Sequence, residues 1–210
     1  MKDNIKDELS AFQAFKKQFV FTQHPLVKTD QDISCEGELL QTPTDRFGET
    51  EHFINVGYNI RGSSFCQLLS NLFPYEFEFR GFKLASMESF FQGLKFPDEE
   101  VQRMVFNYSG TNAVHLAKAS LYDWEKTKTL YWQGEAIDRM SEAYDALVDE
   151  AYVCLLQNPL YRQSLLNCPK EIIHMLGNEH KEETVFTRYE FEKELNCLRA
   201  FVKQSEVGRE

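Results

Sequence analysis

Two stretches near the ends of the chain carry apolar residues at helical spacing. In residues 1–22, the apolar series with intervals of three and four residues is Ile5, Leu9, Phe12, Phe15 and Phe19. The second series lies near the C-terminus and consists of Phe191, Leu195, Leu198 and Val202. Because about 3.6 residues make one helical turn, each series predicts an amphipathic helix.

A third apolar series predicts a longer helix over about residues 139–157. Asp138 and Arg139 would open this helix, with Asp138 suited to cap its first turn. Trp132 stands before the dipeptide Gln133–Gly134, which predicts that this tryptophan enters a loop.

A period of two residues indicates strands elsewhere. Phe77 and Phe79 alternate with glutamates, and Phe82 and Leu84 resume the alternation after Arg80–Gly81. Such a pair of alternating runs around a two-residue turn predicts a β-hairpin. Two further short strands are predicted at Phe53–Tyr58 and Glu171–His174.

The stretch 85–96 places three polar side chains on one helical stripe. Ser86 is suited to cap the helix, and Glu88 adds negative charge to its first turn. Gln92 follows Glu88 by four residues and Lys95 follows it by seven, so all three project in nearly one row. This row is consistent either with a solvated salt-bridge face or with one wall of a binding site, and we expect Gln92 to have a structural role.

Together these elements predict an α+β fold, predominantly helical with a few short strands, in a single domain. We expect residues 51–202 to form that domain. Residues 1–50 would supply an N-terminal helix and a linker, and residues 203–210 a polar tail. The linker is expected either to tie the N-terminal helix to the domain or to stay mobile.

Composition supports a folded domain and limits its partners. Hydrophobic residues make up 42% of the chain and aromatic residues 14%, enough for a sizeable core. The net charge of −10 argues against sequence-independent binding to long nucleic acids, which needs a basic surface. It leaves open an action on one extruded base or a small nucleotide, where only a local pocket must be positive.

Cysteine and histidine positions carry no metal or redox motif. The five cysteines include no Cys-x-x-Cys pair, and the five histidines have no metal-ligand spacing, so we expect no metal and no cofactor. Scattered cysteines favour a reduced, cytoplasmic location. The charged N-terminus is unlike a signal peptide, and no apolar run is long enough to span a membrane.

Several further motifs follow one another in order from about residue 53 to residue 202. Leu69-Ser-Asn-Leu-Phe-Pro74 precedes the predicted hairpin, and Ser86-Met-Glu-Ser-Phe-Phe-Gln-Gly-Leu-Lys95 follows it. Later motifs include Tyr131–Arg139, Ile173–His174 and Thr184–Thr187. This succession resembles the signature of the NADAR superfamily, which has the YbiA-like fold. Residues 1–50 lie outside the resemblance.

The resemblance implies an N-glycosidase that acts on an ADP-ribosyl or phosphoribosyl substrate, such as ADP-ribosylated guanine, possibly on a DNA base. In the ADP-ribosyl branch a lysine is thought to form a Schiff base with the ribose C1, and the motif match gives that role to Lys95. Glu88 would move protons, either to open the ribose ring or to protonate the departing base. A Schiff base requires a neutral amine, which burial or a neighbouring cation favours.

The remaining candidates are predicted to bind substrate, and these are Asn71, Trp132, Asp138, Arg139 and His174. Trp132 would stack on a base, and Arg139 would bind phosphate. Four of them also have a structural interpretation: Asn71 as a turn residue, Asp138 as a helix cap, Trp132 and His174 as core residues.

The chain departs from the better-known branch of the superfamily. Ser89 follows Glu88 where that branch has histidine, and no third tryptophan is present, so the resemblance implies its riboflavin-type substrates less strongly for this chain. A non-catalytic module that binds ADP-ribose or a nucleotide is an alternative function, and an enzyme that cuts free nucleotides is another. The leaving base, the oligomeric state and the role of residues 1–50 stay open.

Overall fold

A computed structural model describes residues 2–24, 48–119 and 124–207. Its helices are α1 (Lys2–Lys16), α2 (Phe65–Leu68), α3 (Met87–Gly93), α4 (Glu99–Phe106), α5 (Gly110–Lys118), α6 (Trp124–Thr127), α7 (Glu142–Leu155), α8 (Pro159–Asn167) and α9 (Arg188–Val207). Its strands are β1 (Phe53–Asn55), β2 (Phe77–Phe79), β3 (Phe82–Leu84), β4 (Thr129–Trp132), β5 (Glu135–Asp138) and β6 (Glu171–Ile173). The predicted α+β class with predominant helix is confirmed.

The strands form three separate pairs rather than one sheet. β2 pairs antiparallel with β3, β4 pairs antiparallel with β5, and β1 pairs parallel with β6. Helices cover these small ladders and share with them one large apolar core. Within the described ranges, no helix combines the length and the apolar character that crossing a membrane requires.

The N-terminal helix packs against the core, as its apolar series predicts. Phe12 is completely buried, and α1 contacts both α7 and α9. At the end of α1, Lys16 Nζ donates hydrogen bonds to Asp149 and Glu194. Burial alone would lower the pKa of Lys16, but attraction to the two carboxylates outweighs it and raises that pKa. The helix is therefore fixed by both packing and charge, whereas most of the predicted linker, residues 25–47, lies outside the described residues.

The predicted hairpin at Arg80–Gly81 is confirmed, and a second hairpin was missed. Arg80 and Gly81 both have positive φ, as a tight two-residue turn requires. Gln133 and Gly134 repeat this geometry between β4 and β5. Trp132 is the last residue of β4 and leads into this turn, as predicted, but the strands on either side of the turn were not predicted.

The long helix begins later than predicted. β5 runs through Asp138, whose carboxylate accepts a hydrogen bond from the Met140 backbone N–H, and Ser141 caps α7 through the Tyr144 N–H. Asp138 and Arg139 therefore precede α7 instead of opening it, because strand pairing with β4 holds their backbone.

The last helix also continues further than predicted. α9 extends through Val207, so the expected polar tail from residue 203 is wrong for its first five residues. Phe201 and Val202 are buried, and Lys203 Nζ donates to the Cys168 carbonyl, which holds the final turns in place. Residues 208–210 lie outside the described part of the chain.

Ser86 makes the cap that its position predicts. Its Oγ accepts a hydrogen bond from the Ser89 N–H, and Ser89 Oγ accepts one from the Ser86 N–H. We expect Ser86→Ala to lower the free energy of unfolding by about 1 kcal/mol, measured by chemical denaturation. Ser109 stands at the N-cap of α5 without a side-chain cap bond, so Ser109→Ala is the matched control with almost no expected change. Equal losses in the two variants would contradict the capping role.

Candidate active site

The row predicted on residues 85–96 forms, but the helix that carries it is shorter than expected. α3 ends at Gly93, and Lys95 lies just beyond it, where its backbone N–H donates to the Gln92 carbonyl at 3.3 Å. Glu88 Oε1 accepts a hydrogen bond from Gln92 Nε2 at 2.7 Å. The Glu88 backbone N–H donates to the Asn71 carbonyl at 2.8 Å, which ties the start of α3 to the turn before the first hairpin.

Glu88, Gln92 and Lys95 lie in the wall of a cavity of about 570 Å³. The residues that line it are Val56, Gly57, Tyr58, Asn59, Ser70, Asn71, Leu72, Glu88, Phe91, Gln92, Lys95, Val114, Trp124, His174, Leu176, Gly177, Asn178, Glu183, Thr184, Val185, Phe186 and Phe191. The volume suits a nucleotide-sized ligand, and the wall mixes aromatic rings with a few polar groups, as ligand sites usually do. The row is thus a cavity wall rather than a solvated face.

The Glu88 carboxylate is surrounded by protein but keeps some contact with the cavity. Burial raises the pKa of Glu88, and the hydrogen bond from Gln92 and the positive charge of Lys95 offset only part of that rise. A carboxyl group of this kind holds its proton to higher pH than an exposed glutamate does.

Gln92 orients Glu88 at some cost. Its side chain is 7% exposed, and its Oε1 is buried without a hydrogen-bond partner among the described residues. A buried carbonyl left unpaired costs about 1–3 kcal/mol, so such groups are uncommon. The side-chain amide keeps this orientation because its Nε2 group donates a hydrogen bond to Glu88.

Lys95 lies beside an indole ring. Its Nζ is 5.7 Å from the centre of the Trp124 ring, and Lys128 Nζ is 5.3 Å from the same ring centre. Trp124 is 6% exposed and belongs to both the core and the cavity wall. The ring supplies an apolar surface next to the amine.

Asn71 has one half of its amide fixed. Its Oδ1 accepts a hydrogen bond from the buried Tyr152 hydroxyl at 2.8 Å. Its NH2 group makes no hydrogen bond within the described part of the chain. Because an amide whose oxygen is held in this way presents its NH2 group elsewhere, Asn71 is positioned to donate to a ligand oxygen.

His174 lies at the end of β6, on the cavity wall. Its Nδ1 is 2.7 Å from the Val56 carbonyl oxygen. Burial lowers the pKa of His174; the hydrogen bond to Val56 acts against this, and the nearby charge of Arg188 adds to it. The predicted site residues Glu88, Lys95, Asn71 and His174 are therefore brought together around one cavity.

Two stacked rings form an apolar side of the cavity. Phe91 and Phe186 have ring centres 4.8 Å apart and an interplanar angle of 23°. Phe186 also contacts Phe191, so rings from α3, α9 and the segment before α9 meet here. A planar heterocycle entering the cavity would meet these faces and edges.

The other three predicted site residues do not line the cavity, and we correct the predicted site accordingly. Trp132 is a core residue, stacked on Phe106 at 5.6 Å. Arg139 is completely buried and pairs with Glu190, its Nη2 2.6 Å from the carboxylate, so it is not available to bind phosphate. Asp138 is exposed at the end of β5.

Sequence reasoning missed several wall residues. Gln92 was interpreted as structural, although its position four residues after Glu88 was the signal for contact between them. Trp124 carried no distinguishing pattern, and Phe186 stood in the Thr184–Thr187 motif without a predicted role of its own, because the place of both in the wall depends on long-range packing. Among the described residues, no group of three or more histidine, cysteine, aspartate or glutamate side chains could hold a metal ion.

Comparison with known proteins gives one family and one curated relative. The family, described as "Bacteriophage protein GP30.3", matches residues 64–200, a span that includes Glu88, Lys95 and His174. The relative is an "Uncharacterized 17.1 kDa protein in Gp30-rIII intergenic region" of Enterobacteria phage T4, 32% identical over 134 residues, which are 62% of this chain and 88% of the relative. No solved structure matches the chain significantly. Because the family match covers well over half of its length, the chain belongs to the family described as Bacteriophage protein GP30.3.

Proposed function

We propose that the protein is an N-glycosidase that hydrolyses the bond between a base and C1 of an ADP-ribosyl or phosphoribosyl group. The observation that carries this proposal is the joint placement of Glu88 and Lys95 on one cavity of nucleotide size. The motif resemblance to the NADAR superfamily supports it independently of the geometry. Nucleophile and proton donor are the two groups that such a reaction needs.

Glu88 is suited to donate a proton to the leaving base. Its raised pKa keeps a larger fraction of the carboxyl protonated near neutral pH than an exposed glutamate would have. The hydrogen bond from Gln92 to Oε1 fixes the carboxyl group and leaves the second oxygen for the substrate. The departing base nitrogen would receive this proton as the C1–N bond breaks.

Lys95 is suited to attack C1. In its neutral form, Nζ forms the new bond to C1 while the bond to the base breaks, and one Nζ proton moves to the ring oxygen as the sugar opens. The product is an iminium between Lys95 and C1. The Trp124 ring beside Nζ excludes water from one side of the amine.

Positive charge in the cavity is scarce. In the described part of the wall, Lys95 is the one lysine or arginine, and Arg139 is buried elsewhere. We therefore place the reacting sugar, rather than a diphosphate, next to Lys95. The phosphate groups would lie toward the open side of the cavity, where water screens their charge.

The test is a panel of substrates followed by mass spectrometry. The panel contains ADP-ribosylated guanosine, ADP-ribosylated DNA, phosphoribosyl pyrimidines and free nucleotides, each with and without borohydride. We expect release of a free base from one class, and a borohydride-dependent mass increase on Lys95. Tight binding without any product would contradict the enzyme and favour a nucleotide-binding module instead.

A further inference from the structure

His174 lines the cavity, and one of its ring nitrogens is held by a backbone carbonyl. A backbone carbonyl only accepts hydrogen bonds, so the 2.7 Å contact with the Val56 oxygen requires that Nδ1 carries the proton. In the neutral ring, Nε2 is then a hydrogen-bond acceptor, since the partner of one nitrogen decides the state of the other. The ring lies on the same cavity wall as Glu88 and Lys95.

Close packing fixes the orientation of the imidazole. A Cβ atom on Gly177 would lie 2.6 Å from His174 Cδ2, so only glycine leaves room for the ring there. The Phe191 ring packs at 4.7 Å between ring centres. The backbone of the same residue is also held, because Glu192 Oε1 accepts a hydrogen bond from the His174 N–H at 2.7 Å. Contacts on several sides therefore hold the ring in a single orientation.

The charges around His174 favour the neutral ring. Arg188 on α9 lies near it and disfavours a second positive charge, and the His174 side chain is partly buried. Glu192 on the same helix is engaged by Arg188, whose Nε is 2.7 Å from Oε1. Lys95 on the same wall adds another positive charge when protonated, and Glu88 a negative one when ionised. A neutral imidazole with a free lone pair is a base.

We propose that His174 Nε2 takes the proton from the water molecule that hydrolyses the Lys95 adduct, a role that rests on the proposed function. Water oxygen bonds to C1 of the iminium while one water proton passes to Nε2, which gives a neutral carbinolamine and an imidazolium. The imidazolium returns this proton to Lys95 Nζ. The C1–Nζ bond then breaks, C1 becomes an aldehyde, and the hydroxyl proton restores the acid form of Glu88.

The variant that tests this role is His174→Asn. The asparagine amide replaces Nδ1 as donor to the Val56 carbonyl but has no group in place of Nε2, so the fold is expected to persist. We expect the turnover number to fall by about 10²- to 10⁴-fold, the usual contribution of a positioned base. The borohydride-trapped Lys95 adduct is expected to persist or increase, because its formation does not need His174.

The exposed residue His115 on α5 provides the matched control, and His115→Asn should leave both measurements unchanged. If the wild type forms the adduct and His174→Asn keeps its full turnover, the role of His174 is overturned, whereas the Schiff-base function is not. Loss of the adduct together with turnover in a folded His174→Asn protein would also overturn it, because the histidine would then act earlier. If the wild type forms no adduct on any substrate, the Schiff-base function fails and this role fails with it.

A second measurement does not depend on activity. Nitrogen-15 NMR of labelled imidazoles distinguishes the two neutral tautomers and the imidazolium. We expect His174 to carry its proton on Nδ1 at neutral pH. A proton on Nε2 in the free protein would overturn the proposal whatever the kinetics show.

Discussion

Lys95→Ala is expected to reduce turnover of the cognate N-glycoside by at least about 10³-fold and to abolish the borohydride-trapped adduct. The substitution removes the only amine that we place at C1, while the wall of aromatic rings and Glu88 remain. Ligand affinity should change much less, because those rings still contact the substrate. Single-turnover kinetics with calorimetry on the same variant separate the two effects.

Lys128→Ala is the matched control for this prediction. Lys128 Nζ lies beside the same Trp124 ring, at 5.3 Å, yet Lys128 is not among the residues that line the cavity. A general effect of positive charge on the indole would therefore lower activity in both variants. Undiminished turnover and trapping in Lys95→Ala would remove the Schiff-base mechanism.

Glu190→Ala is expected to lower the free energy of unfolding by about 3–5 kcal/mol, the largest stability effect that we predict. The completely buried Arg139 would lose its carboxylate partner and remain as an uncompensated charge. The same carboxylate accepts hydrogen bonds from the Thr187 N–H and hydroxyl, which cap the first turn of α9. Urea denaturation at pH 7 measures the loss.

The exposed pair between Arg80 and Glu150 provides a matched control. It too is an arginine paired with a glutamate, with Nη2 2.6 Å from the carboxylate, but the Arg80 side chain is 41% exposed. Glu150→Ala should therefore cost no more than about 1 kcal/mol. Similar losses in the two variants would contradict the importance of burial for the Arg139 pair.

Lowering the pH should reproduce, in the wild type, part of the loss in the free energy of unfolding that we expect for Glu190→Ala. Burial alone would raise the pKa of Glu190, but the hydrogen bond and charge of Arg139 and the bonds from Thr187 lower it from 4.5 to about 2. A lowered folded-state pKa means that the stabilisation is present above the unfolded pKa, near 4.5, and is lost as pH falls toward 2. Glu190→Ala should lack this part of the pH dependence. Measuring the free energy of unfolding of both proteins from pH 4.5 down to pH 2 would show the difference.

Local patterns in the sequence predicted the elements that depend on neighbours in the chain. The cap at Ser86, the turn at Arg80–Gly81 and the apolar face of α1 all rest on residues a few positions apart, and all three are confirmed. We predicted that Asn71, Glu88, Lys95 and His174 belong to one site from the motif resemblance, and their spacing in the sequence alone did not indicate it.

Long-range pairing explains the predictions that were wrong. Arg139 was considered a phosphate ligand because it was the best basic candidate in an acidic chain. The sequence near Arg139 gave no sign of its partner Glu190, which lies 51 positions away. The sequence also left two roles open for Trp132, as a substrate contact or as a core residue. The structure decides for the core, because the rings of Phe82 and Phe106 pack against the indole. Charge burial and aromatic packing of this kind are decided by the tertiary fold, which local periodicity does not report.

The parallel pair of β1 and β6 has a consequence for the order in which the molecule folds. It joins segments from opposite ends of the domain: Val56 and His174, which meet just beyond the paired residues, are 118 positions apart in the chain. Parallel strands require a long crossover connection, and contacts between distant residues form slowly because loop closure precedes them. On the ribosome, both hairpins, α3 and α7 emerge before β6 does. The cavity can therefore close, and the His174 proton be fixed, only after β6 and His174 have been synthesised.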